Sequence, residues 1–187
     1  MIKQTTTLIF ILGFSFATLA SDFREVSWGM SKNEVKKIEV GLKVVEDKEG
    51  SLVYSETVAG KDVLLSYDFI DNKLYSGIYM FTKTHENENK YISDLTAING
   101  ILKQKYGNPK TGHNWSNKTF YKDIDRWGFA VTRGDVDFSF YWDNGETFIV
   151  NKLTGGNGKA THMVTFINTE LEKEVVRRNI ELQKNKF

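Results

Sequence analysis

The chain of 187 residues has no cysteine and a single proline. The missing cysteines exclude disulfides, thiolate metal sites and thiol nucleophiles together. They also exclude a lipid-bearing cysteine behind a cleaved leader. An excess of one charge is lacking too, since 25 Lys+Arg stand against 24 Asp+Glu. Such a balance gives no broad electrostatic footprint for nucleic acid. The most apolar stretch, Leu8–Phe16, falls short of the roughly 20 residues that span a bilayer.

That stretch has another use. Residues 1–20, MIKQTTTLIFILGFSFATLA, carry Lys3 and the amino terminus, then an apolar centre, then small residues with Thr18 and Ala20 placed for cleavage. This is the layout of a secretory signal peptide. The expectation is therefore a signal peptide over 1–20 and a single secreted or periplasmic α+β domain over 21–187, with no membrane anchor in the mature chain. A domain of that length buries a substantial core.

The run SWGMSKNEV opens the domain. Ser31 and Glu34 have capping-box spacing, and Met30 and Val35 have the spacing of a hydrophobic staple. Val35, Ile38 and Leu42 lie at helical spacing, with Gly41 placed just past the helix end, so a short helix is predicted over Lys32–Val40. Phe23, Val26 and Trp28 are expected to lie extended against the core, with Gly29 permitting close approach. Strands follow over Leu42–Glu46, Leu52–Thr57, a run alternating through Val63, Leu65, Tyr67 and Phe69, and Leu74–Thr82. A second helix, Glu88–Tyr106, has the stripe Tyr91, Leu95, Ile98 and Leu102, with Ile101 beside it and Gly107 and Pro109 ending it.

Lys110–Arg126 reads as a loop with one helical turn. Strands return over Gly128–Arg133, Asp135–Trp142, Glu146–Leu153 and Ala160–Ile167, with Asp143-Asn144-Gly145 as a hairpin turn. A third helix runs from a Thr169/Glu172 capping box to about Gln183, with Leu171, Val175 and Ile180 inward. The order is helix, strands, helix, strands, helix. It predicts antiparallel sheet packed by three helices, in two halves of similar layout.

Short segments also carry a resemblance. The opening FREVSWGMSKNEVKKIE resembles that of a group of uncharacterised bacterial secreted proteins and lipoproteins, in an aromatic and a basic residue followed by Trp-Gly-Met-Ser and Glu-Val; here these are Phe23, Arg24, Trp28–Ser31, Glu34 and Val35. LKQKYGNP (102–109), WDNGETFIV (142–150) and HMVTFINTELEKE (162–174) are similar to that group as well. The helix-plus-meander order resembles β-lactamase-inhibitor-like and outer-membrane assembly lipoprotein folds. The resemblance implies an architecture and supplies no catalytic motif.

Motifs with chemical content are few. TGGNGKAT (154–161) lacks the first glycine of a phosphate loop, where Leu153 stands, and the hydroxyl residue after Lys159, where Ala160 stands. It reads as a mobile hairpin loop. Arg133-Gly134-Asp135 reads as a turn between strands. His85, His113 and His162 show no local ligand spacing. Asp135 and Asp137, with Asp143 beyond, suit a pair of hydrolase carboxylates or, more plainly, the wet side of a strand.

Aromatics make up 13% of the chain. Over Leu74–Phe81 the alternation places Tyr75, Tyr79 and Phe81 on one face and Leu74, Ile78 and Met80 on the other. A strand apolar on both faces is covered by a helix or presents a binding surface. Tyr75, Tyr79, Phe81 and Trp115 are the candidate binding residues. No catalytic residue, metal or cofactor is assigned. The functional expectation is a non-enzymatic envelope module that binds a protein or a glycan. The alternatives are an envelope hydrolase with a site assembled from distant residues, and an immunity or inhibitor protein for a secreted enzyme.

Overall fold

The computed structural model describes residues 22–184 and Lys186. The expected signal peptide lies outside the described residues. Four α-helices and eight strands follow in the order α1 (Lys32–Ile38), β1 (Lys43–Lys48), β2 (Ser51–Val58), β3 (Lys61–Ile70), β4 (Lys73–Phe81), α2 (Asn89–Tyr106), β5 (Lys110–Trp115), α3 (Trp127–Arg133), β6 (Val136–Asp143), β7 (Thr147–Gly156), β8 (Lys159–Asn168) and α4 (Thr169–Lys184). All eight strands form one antiparallel sheet, ordered β1-β2-β3-β4-β8-β7-β6-β5. Two four-stranded meanders thus meet at the β4–β8 pair, where Tyr79 faces Val164.

Three helices were expected, and a fourth, α3, stands where Gly128–Arg133 reads as a strand. The β-branched and aromatic residues of that run suit a strand. Packing decides otherwise. Gly128 N–H donates to Asn89 Oδ1 at 2.8 Å, and a Cβ on Gly128 would lie 2.2 Å from the Glu88 carbonyl. That close approach seats α3 on the start of α2 and buries Ala130 and Val131 completely. Arg133-Gly134-Asp135 consequently sits at the α3–β6 junction rather than between two strands. β5 falls inside the stretch read as loop. It is an edge strand whose partner β6 supplies the order its sequence lacks.

The α1 capping box forms as expected, with the Ser31 N–H donating to Glu34 Oε2 at 2.8 Å. Ahead of it, Phe23 and Val26 do not lie extended. They close a tight turn through Arg24, at φ 56°. Gly29 serves through its φ of +81°, and a Cβ there would meet no atom within 4 Å. At the other end, the α4 cap is Asn168, whose Oδ1 accepts from Leu171 N–H at 2.9 Å. Thr169 is already helical, and its hydroxyl donates to the Gly145 carbonyl at 2.9 Å. Leu171 and Val175 are half-buried, whereas Ile180, expected inward, is 50% exposed.

One face of the sheet holds the core. Across its centre run Leu65, Tyr79, Val164 and Asn151, and one row over lie Tyr67, Gly77, Phe166, Ile149 and Trp142. The Phe23 ring lies on Gly77, where a Cβ would come within 2.2 Å of it. α1 and the Phe23 turn cover the first meander, and α2 and α3 cover the second. The opposite face, with Ser66, Ile78, Thr165 and Val150 in register, is half-exposed.

Candidate functional site: an apolar cleft beside α2

α1 has only seven residues and α2 runs over β7 and β8. Between these two covers the core face stays open as a cleft of about 390 Å³. Tyr79 and Phe81 of β4 and Val164 and Phe166 of β8 line it from the sheet, Ile98, Ile101 and Leu102 from α2, and Val58 and Ala59 from the β2–β3 turn. Ile101, on the flank of the α2 stripe, is 50% exposed at the opening. Lys105 is the one charged residue in the lining, beside Tyr106, whose ring centroid is 5.1 Å from its ammonium.

Next to the cleft lies an ion network. Arg24 grips Glu39 through Nε at 2.8 Å and Nη2 at 3.2 Å, and its Nη1 sits 2.7 Å from Glu56 Oε2. Tyr67 donates its hydroxyl to Glu39, and Arg24 Nη1 donates to the Tyr79 hydroxyl at 3.4 Å. Burial pushes both phenols above their ordinary pKa, so they stay protonated. Burial also works against the Arg24 charge, but the bonds to Glu39 and Tyr79 outweigh it and raise its pKa.

The sequence candidates divide. The structure brings Tyr79 and Phe81 together in the cleft. Tyr75 goes elsewhere because of a bulge: Phe69 pairs with Leu74 and Asp68 with Ser76, leaving Tyr75 as the extra residue. The bulge moves Leu74 onto the core face with Tyr79, and Tyr75 sits half-buried in the field of Asp68 and Glu172, its hydroxyl pKa raised chiefly by burial. Trp115 packs with Trp127, Tyr121 and Phe138 at the β5 end of the sheet, at centroid distances of 6.2, 5.5 and 6.3 Å. Val164, Phe166 and Lys105 escaped the sequence reading; the apolar flank around Ile101 was the available signal.

The remaining chemistry is dispersed. His85 Nε2 meets Asp94 Oδ2 at 2.8 Å, and Lys61 also bonds that carboxylate. Burial raises the Asp94 pKa, but these two bonds outweigh it and hold the carboxyl below its ordinary value. His162 is 4% exposed, stacks on Phe81 at 4.4 Å, and is pulled down to a pKa of about 4 by burial. His113 packs edge-on against Phe138. Among the described residues no three His, Asp or Glu side chains group as a metal site. Asp135 is buried rather than wet, 3.1 Å from Arg133 Nε, and Asp137 accepts from Thr154. The glycine-rich 154–161 segment is a regular continuation of β7 and β8 around Asn157-Gly158, not a loose loop.

No protein-family model, curated protein or solved structure matches this chain.

Proposed function

We propose that this protein is a non-enzymatic binding module of the cell envelope, and that its cleft takes the apolar chain of a single-chain anionic amphiphile. The observation that carries the reading is the lining: eight aliphatic or aromatic carbon walls, two phenols and a single charge, which is positive. Ligand pockets of roughly 300–1,000 Å³ with apolar walls and few polar groups have this character. A glycan needs many hydroxyl partners, and the Tyr79 hydroxyl is already engaged by Arg24. An acyl chain needs none, and its carboxylate at the opening meets Lys105. The envelope assignment rests on the signal-peptide pattern of residues 1–20.

Titration of the purified protein with a fluorescent fatty-acid analogue, displaced by lauric acid or by dodecanol, tests this. Lauric acid is expected to displace the probe, and Ile101→Asp to abolish binding of both. Lys105→Glu is expected to weaken the acid by on the order of tenfold and to leave the alcohol unchanged. Failure of acid and alcohol alike to bind removes the reading.

A further inference from the structure

Three hairpins of the sheet turn on two residues that both have positive φ. They are Ala59-Gly60 between β2 and β3, at 51° and 70°, Asp71-Asn72 between β3 and β4, at 49° and 59°, and Asn157-Gly158 between β7 and β8, at 54° and 77°. In each, the flanking residues pair directly: Val58 with Lys61, Ile70 with Lys73 and Gly156 with Lys159. A two-residue turn of this kind has the twist of the strands it joins, and its first position favours Asn, Asp or Gly. Asp71 and Asn157 obey that preference. Ala59 does not: its Cβ crowds the backbone in the left-handed region, and it has no polar group to offset the crowding with a local hydrogen bond.

Nothing in the fold explains the exception. Ala59 is exposed, so no packed neighbour demands a small side chain there. Among the described residues one other non-Asx, non-glycine residue has positive φ, Arg24, and its bonds to Glu39 hold it. What separates the Ala59 turn from the other two is its place. Val58 and Ala59 form one wall of the apolar cleft, and neither of the other turns lines it. Lys61, at the foot of the turn, bonds Asp94 of α2 and so fastens the turn beside the helical wall. An asparagine at position 59 would suit the backbone but would bring an amide to an apolar wall, where covering it unpaired with a hydrocarbon chain costs affinity.

We infer that Ala59 stands at this turn, against the backbone preference, because it is a contact residue for the apolar chain of the ligand. It is a specificity determinant: it keeps the β2–β3 wall free of polar atoms, so that the cleft takes hydrocarbon. The inference rests on the amphiphile reading of the cleft.

Two opposite exchanges test it, Ala59→Asn in the cleft wall and Asn157→Ala in the hairpin outside it. Each is followed by thermal unfolding without ligand and by displacement of the fluorescent fatty-acid analogue with lauric acid and with dodecanol. Ala59→Asn is expected to raise Tm by roughly 2–4 °C and to weaken acid and alcohol alike by roughly three- to tenfold. Asn157→Ala is expected to lower Tm by a similar amount and to leave both affinities unchanged. A Tm that stays level or falls in Ala59→Asn overturns the inference, because the fold itself then requires the alanine. A raised Tm with unchanged affinities overturns it as well, because the strained turn then does nothing for the ligand. A parent protein that binds neither acid nor alcohol is a separate failure, which removes the amphiphile reading and the role of Ala59 with it.

Discussion

The two halves of the molecule are built to one plan and finished differently. Each has a helix leading into a four-stranded antiparallel meander. The second half has a helix of 18 residues and adds α3, which together cover an apolar cluster running from Tyr91 and Leu95 to Val131, Phe138 and Leu153, with the bonded Asn151–His162 pair buried on the same half of the sheet. The first half has a helix of seven residues, too short to roof four strands. It fills the deficit with the Phe23 ring on Gly77 and with a charged network of Arg24, Glu39, Glu56 and Tyr67. The cleft is where that substitute cover ends and α2 has not yet begun. Unequal helices over equal meanders leave room at the seam, and the comparison locates the candidate site without reference to any motif.

The largest way to break this contrast is to remove Glu39. Its side chain is 7% exposed and paired with Arg24 and Tyr67. Deleting one partner of a buried pair costs about 3–5 kcal/mol because the other charge stays behind. Arg24 retains Glu56, so Glu39→Ala is expected to cost near the lower end of that range by urea unfolding. Asp137→Ala, which removes the carboxylate that Thr154 bonds on the half-exposed face of the second half, is expected to cost about 1 kcal/mol or less.

Acid should reverse the ranking of the halves, because the titratable group buried deepest in the second meander is His162. Its folded pKa of about 4 lies below the ordinary 6.5. Above pH 6.5 neither state is protonated there and no stability is lost. Between pH 6.5 and 4 only the unfolded state takes up the proton, so stability falls, and below 4 the loss is complete. The drop is on the order of 3 kcal/mol from the size of the shift. Asp94 and Lys61 act on His162 in opposite senses, the first raising and the second lowering its pKa. His162→Gln is expected to flatten the pH dependence of Tm over this interval relative to the parent.

The close backbone approaches come next. Gly128→Ala presses a methyl against the Glu88 carbonyl, and Gly77→Ala presses one against the Phe23 ring, each at 2.2 Å. Overpacking costs about 1–3 kcal/mol. A ring can shift where a helix backbone cannot, so Gly128→Ala is expected to cost more. Equal losses would show that the first half is as rigid as the second.

Much of this frame was legible from residue order. The α1 cap, the α2 stripe and the alternation of β3 are local patterns, and local patterns survive folding. What was hidden depended on contacts distant in sequence. Gly128–Arg133 has strand-like residues but lies where Asn89 and Glu88 hold a helix start. Tyr75 reads in phase with Tyr79 because a bulge adds a residue that no pattern announces. Only Tyr79 and Phe81 of the cleft come from β4, where an aromatic run was visible. The rest comes from the β2–β3 turn, from α2 and from β8, which the β4–β8 pairing brings alongside β4.

The smallest expected effect concerns the cap on which the short helix depends. Ser31 and Glu34 satisfy each other's backbone at the start of α1. A helix of seven residues is marginal on its own, and α1 inserts one fully buried residue, Val35. Ser31→Ala is expected to cost about 1 kcal/mol, the ordinary value of a lost cap. The effect should reach further than its size. If the Phe23 turn and the Arg24–Glu39 pair hold the first half as a cover in their own right, hydrogen exchange should rise in α1 while the β3 and β4 amides under Phe23 keep their protection. If protection falls there as well, α1 organises the whole cover, and the first half is a weaker copy of the second rather than a different solution to the same sheet.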